Sequence, residues 1–392
     1  MDAPTRRTLS LLGVLLTGCF PGCFNSAPTH TSSSASGYDF ADQEAQGDWR
    51  DEHWSPPAPS QEPTEAQQGQ ASEAEDPAHE TSSPISRDPI LHPARPRDRP
   101  ITRVVSRCSI PSTAASEQET RMETNVIYNR IQGQNMHLDL SYPRASNGPL
   151  PAVLFIHGGG WQVGRREHVH EMMRMTSMRG FIGVGLEYRL AVRDENRFPA
   201  AVADARCAVR WLRQNAIDQA IDPDRIGVVG FSAGGHIAAM LGTADDVGGL
   251  DQLCGDLEAS PRVQAVVAYF APHDLRTTEG LLPRAQRILK EFLGAEPSAR
   301  PDLASLASPI AHVTPGDAPM LLVHGDRDWV VPVVQSRQML YALQRASIPS
   351  HLIEVPGAGH GFTMLRTDPA MRSAACTSLQ FLEDYLGNRS TQ

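Results

Sequence analysis

Apolar and polar positions divide the chain into three textures. Residues 9–16 form one short unbroken apolar run, LSLLGVLL. From Phe20 to about Arg99, Ser, Pro, Glu, Gln and Ala dominate, and no apolar period persists. From Ile101 onward, apolar runs of strand length alternate with segments of helical period. Val126–Ile131 and Met136–Tyr142 read as two paired strands, and further strands are predicted at Ala152–His157, Ile182–Glu187, Ile226–Phe231, Val263–Phe270, Met320–His324 and His351–Val355. Helices are predicted at Arg166–Met178, Pro199–Ala216, from Gly234, at Val334–Arg345 and at Pro369–Leu386. Leu281–Ala307 reads as a helical excursion placed to act as a lid. Strands alternating with helices predict an α/β domain over residues 101–392, with a mainly parallel central sheet covered by helices on both faces.

The first two textures carry different expectations. Arg6 and Arg7 precede the apolar run, which is too short to cross a bilayer as a stable helix. It ends in Leu16-Thr17-Gly18-Cys19, which resembles a bacterial lipobox, so residues 1–19 read as a lipoprotein signal with Cys19 as the lipidated residue. The expected location is therefore the bacterial cell envelope, with the folded domain outside the cytoplasm and a membrane as its partner through the anchor. Residues 20–100 cannot bury enough apolar surface to offset their ordering entropy and are predicted to be a disordered tether, spanning on the order of 50 Å. Trp49 and Trp54 are unusual in a pure spacer and leave a partner-binding role open.

Charge sharpens this division. Between Tyr38 and Glu80 stand twelve acidic residues and one basic residue, Arg50, so this segment accounts for the whole net charge of −10. The remainder is near neutral, and no basic face suggests nucleic acid. An exported domain meets oxidising conditions, and Cys108, Cys207, Cys254 and Cys376 suffice for two disulfides in any of three connectivities, with Cys23 left in the tether. Cys207 lies in an apolar helical segment, where a buried thiol serves equally well.

The chemistry concentrates at the ends of the predicted strands. Gly230-Phe231-Ser232-Ala233-Gly234 lies between an apolar strand and a small-residue helix, the setting of a nucleophile elbow, in which a tight turn presents the serine hydroxyl above the sheet. Such a hydroxyl needs a base, and the base needs an orienting carboxylate. His360, flanked by glycines, follows one strand, and Asp326 and Asp328 follow another, so these groups can converge at the sheet's carboxyl edge. The glycine loop of His157-Gly158-Gly159-Gly160-Trp161, with the amide of Ala233, can supply donors to an oxyanion. A phosphate-binding loop is the rival reading, but no Gly-Lys-Ser/Thr follows. His168, His170 and Glu171 do not make a metal site, because two histidines two apart on a helix point in different directions and no third ligand is near. Met172, Met173, Met175 and Met178 read as core filler. No metal or cofactor is called for. Trp161, Phe231, His273 and Trp329 are candidate pocket residues, with simple packing as the alternative for the two tryptophans and a solvated loop position as the alternative for His273.

The segments HGGGW, DPDRIGVVGFSAGGH, HGDRDWVVP and GAGHGF together resemble the α/β-hydrolase esterases, particularly the feruloyl/acetyl-xylan-esterase-like branch, over roughly Asn125 to Leu386. The resemblance implies an α/β-hydrolase fold and a serine esterase with Ser232, Asp328 and His360 as its triad. It favours Asp328 over Asp326, because the family's acid stands four residues after the His of its HG-x-x-D turn. It also implies Gly159 and Gly160 as oxyanion glycines, with Gly158 a weaker match and His157 a structural brace. The family often continues its YRL segment with Ala-Pro, where this chain has Ala191-Val192-Arg193-Asp194-Glu195-Asn196. Esters of plant polysaccharides are the substrate class the resemblance suggests. Two other functions use the same constellation or fold: an amide hydrolase of formamidase or peptidase type, and a catalytically silent binding module.

Overall fold

Alternate residues of one strand show how the sheet is built. Ala152, Leu154 and Ile156 enter one apolar cluster, whereas Val153 and Phe155 enter a second. Successive side chains of a strand point to opposite faces, so a run that is apolar at every position must be covered on both. The computed structural model describes residues 108, 113–146, 148–245, 254–362 and 369–387. Cys19, Cys23, the tether, Trp49 and Trp54 lie outside the described residues.

The strands are β1 (Thr120–Ile131), β2 (Gln134–Pro143), β3 (Leu150–Ile156), β4 (Ile182–Leu186), β5 (Ile221–Phe231), β6 (Ala265–Tyr269), β7 (Met320–Gly325) and β8 (Ser350–Val355). They form one sheet in the order β1-β2-β4-β3-β5-β6-β7-β8. β1 and β2 make an antiparallel hairpin, β2 pairs antiparallel with β4, and every pair from β4 to β8 is parallel. The hairpin turns through Gln132 and Gly133, both at positive φ, which suits the twist of the flanking strands. The carboxyl ends of β3, β5, β6, β7 and β8 therefore share one edge, and their loops gather there.

The helices are α1 (Thr113–Glu119), α2 (His170–Ser177), α3 (Ala200–Gln214), α4 (Ala233–Thr243), α5 (Pro283–Leu293), α6 (Pro301–Leu306), α7 (Val334–Arg345) and α8 (Pro369–Leu386). Met172 and Met173 of α2 join Ala375, Leu379 and Phe381 of α8 in one cluster. Val202, Val209 and Leu212 of α3, Ile237 and Met240 of α4, and Met339 and Leu343 of α7 fill the other. The methionines of α2 are thus core, as expected. The predicted helix at Arg166–Met178 opens with a 3-10 turn at Arg166–Val169 before α2 begins, and α1 carries no strong apolar period in the sequence. The expected excursion Leu281–Ala307 is helical, as α5 and α6. Leu289, Phe292 and Leu293 seat α5 in the main core, so it forms a packed roof in this structure.

Cys108 pairs with Cys376 and Cys207 with Cys254, selecting one of the three connectivities. Cys207 is a disulfide partner rather than a free buried thiol. The second bridge ties α3 to a point 47 residues on, after α4. Closing a loop of that length restricts the unfolded chain by about 4 kcal/mol in the chain-entropy picture. Replacing Cys207 and Cys254 together by serine should lower the unfolding free energy in urea by roughly 2–4 kcal/mol; an unchanged midpoint and slope would show that the bridge does not carry this stability.

Candidate active site

Ser232 links β5 to α4 with φ 51° and ψ −119°, a conformation that L residues seldom adopt. The surrounding structure holds it there. The Ser232 amide donates to the Tyr269 carbonyl at 2.9 Å, tying the turn to β6. Gly234 explains why the turn needs a bare residue: a Cβ there would stand 2.2 Å from the Ile156 carbonyl oxygen and 2.5 Å from that of His157. Backbone cannot yield as a side chain does, so α4 approaches β3 this closely only because Gly234 has no side chain. The close approach also brings the loop after β3 against the serine, with a Gly158 Cβ position only 3.3 Å from Ser232 Cβ.

His360 and Asp328 reach the serine from the loops after β8 and β7. His360 Nε2 lies 2.9 Å from Ser232 Oγ, and His360 Nδ1 lies 2.8 Å from Asp328 Oδ2. A carboxylate only accepts, so Nδ1 carries the hydrogen and Nε2 presents a lone pair to the hydroxyl. Asp328 Oδ1 accepts from the amides of Val330 and Val331, each at 2.9 Å. Burial alone would raise the Asp328 carboxyl, but the neighbouring His360 charge and a hydrogen bond from His324 outweigh it and hold the group well below the ordinary carboxylate range. Asp326, the competing aspartate, accepts from the Gly357 amide at 2.6 Å and so braces the loop that carries His360. The edge of one aromatic ring steadies the imidazole as well: Phe270 meets His360 in a T-shaped contact at 4.9 Å and Phe362 at 5.0 Å.

The glycine loop is held open by strain and by two braces. Gly159, Gly160 and Trp161 have φ of 112°, 57° and 60°. At Gly159 a side chain is excluded outright, since its Cβ would fall 2.1 Å from the Val163 carbonyl oxygen. His157 is the first brace. Its Nδ1 lies 2.8 Å from the Gly158 carbonyl and its ring stacks on Tyr188 at 4.4 Å, while burial lowers its pKa to about 4 and keeps it neutral at neutral pH. Trp161 is the second, stacked on Phe292 at 4.0 Å and donating its indole N–H to His236 Nδ1 at 3.3 Å. Ala233 begins α4, where the first amides have no acceptor within the helix and stand beside the serine. Ile288 of α5 covers the loop, its Cγ2 reaching within 3.0 Å of a Gly160 Cβ position.

Of the four expected pocket residues, the structure leaves one exposed. Trp329, beside Asp328, is 62% exposed. Trp161 is buried at 5%, its face covered by Phe292, so it is a strut of the loop and offers no open platform. Phe231 is buried at 5% and stacks on Tyr269 at 5.0 Å. His273 is fully buried behind the site, close to His236 and His324, and burial lowers its pKa to about 3. In each case the ring points into the layers the loops are built on, which the spacing of residues along the chain does not reveal. His170 lies 2.7 Å from Asp139, and Asp139 also pairs with Arg166.

Sequence reasoning missed several contributors. Arg189 makes a two-pronged ion pair with buried Asp204 of α3, fixing the stretch after β4 beside the glycine loop. Tyr188, His236 and Phe270 are ordinary core types in a sequence, and only their contacts identify them.

Residues 138–343 match the BD-FAE family model, slightly more than half of the chain. The chain belongs to the BD-FAE family. Among its relatives, esterase LipC of Mycobacterium tuberculosis is 32% identical over 237 residues, 58% of this chain and 57% of LipC. Esterase LipQ of the same organism is 30% identical over 240 residues, 60% of this chain and 55% of LipQ. The BD-FAE chain therefore spans little more than half the length of these relatives. A truncated carbohydrate esterase from gut microbiota superposes with a TM-score of 0.57 at 29% identity, covering 66% of this chain and 96% of the other. The propionate-bound esterase Est2 of the planctomycete Thermogutta terrifontis gives 0.59 at 28% identity, covering 69% and 96%. With the mostly parallel eight-stranded sheet, these likenesses make the fold that of the α/β-hydrolases.

Proposed function

We propose that this BD-FAE domain hydrolyses carboxylic esters through Ser232, His360 and Asp328. The observation that carries the reading is the relay through one imidazole, 2.9 Å from the serine hydroxyl on one side and 2.8 Å from a carboxylate on the other. Ser232 Oγ attacks the ester carbonyl while His360 Nε2 takes its proton. Asp328 keeps the hydrogen on Nδ1 and stabilises the imidazolium that forms. The amides of Gly159, Gly160 and Ala233 face the developing oxyanion, each donor contributing about 3–4 kcal/mol to lowering the barrier. The C–O bond to the alcohol then breaks, His360 returns the proton to the departing alkoxide, and an acyl-Ser232 remains. Water, deprotonated by His360, attacks the acyl carbonyl; as the intermediate collapses, Ser232 recovers its proton and the acid leaves.

Short acyl esters of carbohydrates are the substrate class we assign. The support is the likeness to a carbohydrate esterase and to an esterase that binds propionate. A roof of Ile288 packed on the glycine loop also favours a small acyl group. The exposed face of Trp329 suits the apolar face of a sugar.

The domain also works, in our reading, outside the cytoplasm, held by a lipid on Cys19 at the end of the 20–100 tether. Two disulfides support an oxidising compartment. Among the described residues no helix is long and apolar enough to cross a membrane.

Ser232→Ala should lower p-nitrophenyl acetate turnover by about four orders of magnitude or more. Unchanged turnover would contradict the nucleophile, and faster cleavage of N-formyl amides than of acetyl esters would favour the amide reading. Cys19→Ser should move the protein from the membrane to the soluble fraction in its bacterial host, and an unchanged distribution would contradict the anchor.

A further inference from the structure

His324, the penultimate residue of β7, is fully buried, yet its role is not accounted for by the triad. It is the His of the HG-x-x-D turn, four residues before Asp328. Its Nε2 lies 2.8 Å from the Val331 carbonyl and 3.2 Å from Asp328 Oδ2. The Val331 carbonyl only accepts, so Nε2 carries a hydrogen and donates it there, and the same N–H edge stands against the Asp328 carboxylate at charge-contact distance. Its Nδ1 lies 2.8 Å from Ser336 Oγ of α7, whose hydroxyl can donate. Every ring nitrogen of His324 is thus engaged, and the ring is anchored in a strand paired on both sides and in a helix.

The consequence falls on Asp328. Its Oδ1 is already fixed by the amides of Val330 and Val331. Its Oδ2 is the oxygen that faces His360, and the torsion that aims a carboxylate is soft. His324 sets the positive N–H edge of its ring 3.2 Å from that same oxygen, from a rigid element, whereas His360 stands on a glycine-flanked loop and changes protonation during turnover. We propose that His324 is a positioning residue: its Nε2–H holds Asp328 Oδ2 on line with His360 Nδ1 throughout the cycle. The proposal rests on the triad reading above. Packing alone is the competing explanation, and it differs in one respect: packing needs the ring, whereas positioning needs only a donor at the place of Nε2.

Glutamine and asparagine separate the two. Counted in bonds from Cα, a glutamine amide nitrogen stands where Nε2 stands, and an asparagine amide nitrogen where Nδ1 stands. His324→Asn should lower kcat for p-nitrophenyl acetate about tenfold to a hundredfold, the worth of one hydrogen bond to a charged group, with KM changed less than about twofold. His324→Gln should recover kcat to within about threefold of the unsubstituted enzyme. A folded His324→Asn with unchanged kcat, or a folded His324→Gln as slow as His324→Asn, would overturn the proposal. If the asparagine variant does not fold, His324→Gln decides alone: kcat within about threefold of the unsubstituted enzyme supports the donor role, and a folded variant slower by about tenfold or more overturns it. Ser232→Ala is measured in parallel. Undiminished activity there would refute the triad itself, whereas a Ser232→Ala slowed by orders of magnitude beside a fully active His324→Asn would refute only the positioning role.

Discussion

The His360 imidazole has to hold its two nitrogens toward two different chain segments at once, Nε2 to a hydroxyl 128 residues upstream and Nδ1 to a carboxylate 32 residues upstream. Neither contact is local, so neither can form until the strands have paired. The parallel register of β5, β7 and β8 is what meets that demand, because it delivers three carboxyl-terminal loops to one edge. A shift of one residue in any of these strands would turn its side chains to the opposite face and carry its loop away from the site. The apolar residues on both faces of the sheet make such a shift costly, so the core acts on the site by fixing register.

Around that imidazole the chain holds backbone in conformations it would not choose alone. Ser232 at φ 51° and Trp161 at φ 60° are non-glycine residues in the left-handed region. Each is secured by contacts that reach into other layers: the Ser232 amide to Tyr269, the Trp161 ring to Phe292 and His236. Strain of this sort costs about 1–3 kcal/mol per residue and persists only where neighbours over-determine it. The buried histidines belong to this scaffold. His157 and His236 are neutral because burial lowers both to about 4, and as neutral rings they can donate from one nitrogen and accept at the other.

Strand and helix alternation was legible because a sheet covered on both faces writes itself as continuous apolar runs, and Ala152–His157 is such a run. The residues proposed as the triad stand out for a different reason: Gly230 and Gly234 around Ser232, and Gly359 and Gly361 around His360, mark turns that no core residue needs. The orientation of side chains was not legible. Trp161 and His273 have the composition of pocket residues, and their burial follows from α5 and from the helices behind β6, which lie far off in sequence. The choice among disulfide connectivities was closed to sequence as well, since it depends on which loops meet. Asp328 and Asp326 are two residues apart in one turn; the residue pattern alone leaves both open, the family resemblance favours Asp328, and in the structure Asp328 touches the imidazole while Asp326 braces its loop.

Everything in the catalytic account follows from Ser232 Oγ being made nucleophilic by His360. A fluorophosphonate probe reacts only with a hydroxyl so activated, and mass spectrometry of the digested protein locates the adduct. The account predicts one equivalent of label on the peptide containing Ser232, and almost none when His360 is replaced by alanine. Label on another residue, or equal labelling without the imidazole, would contradict it.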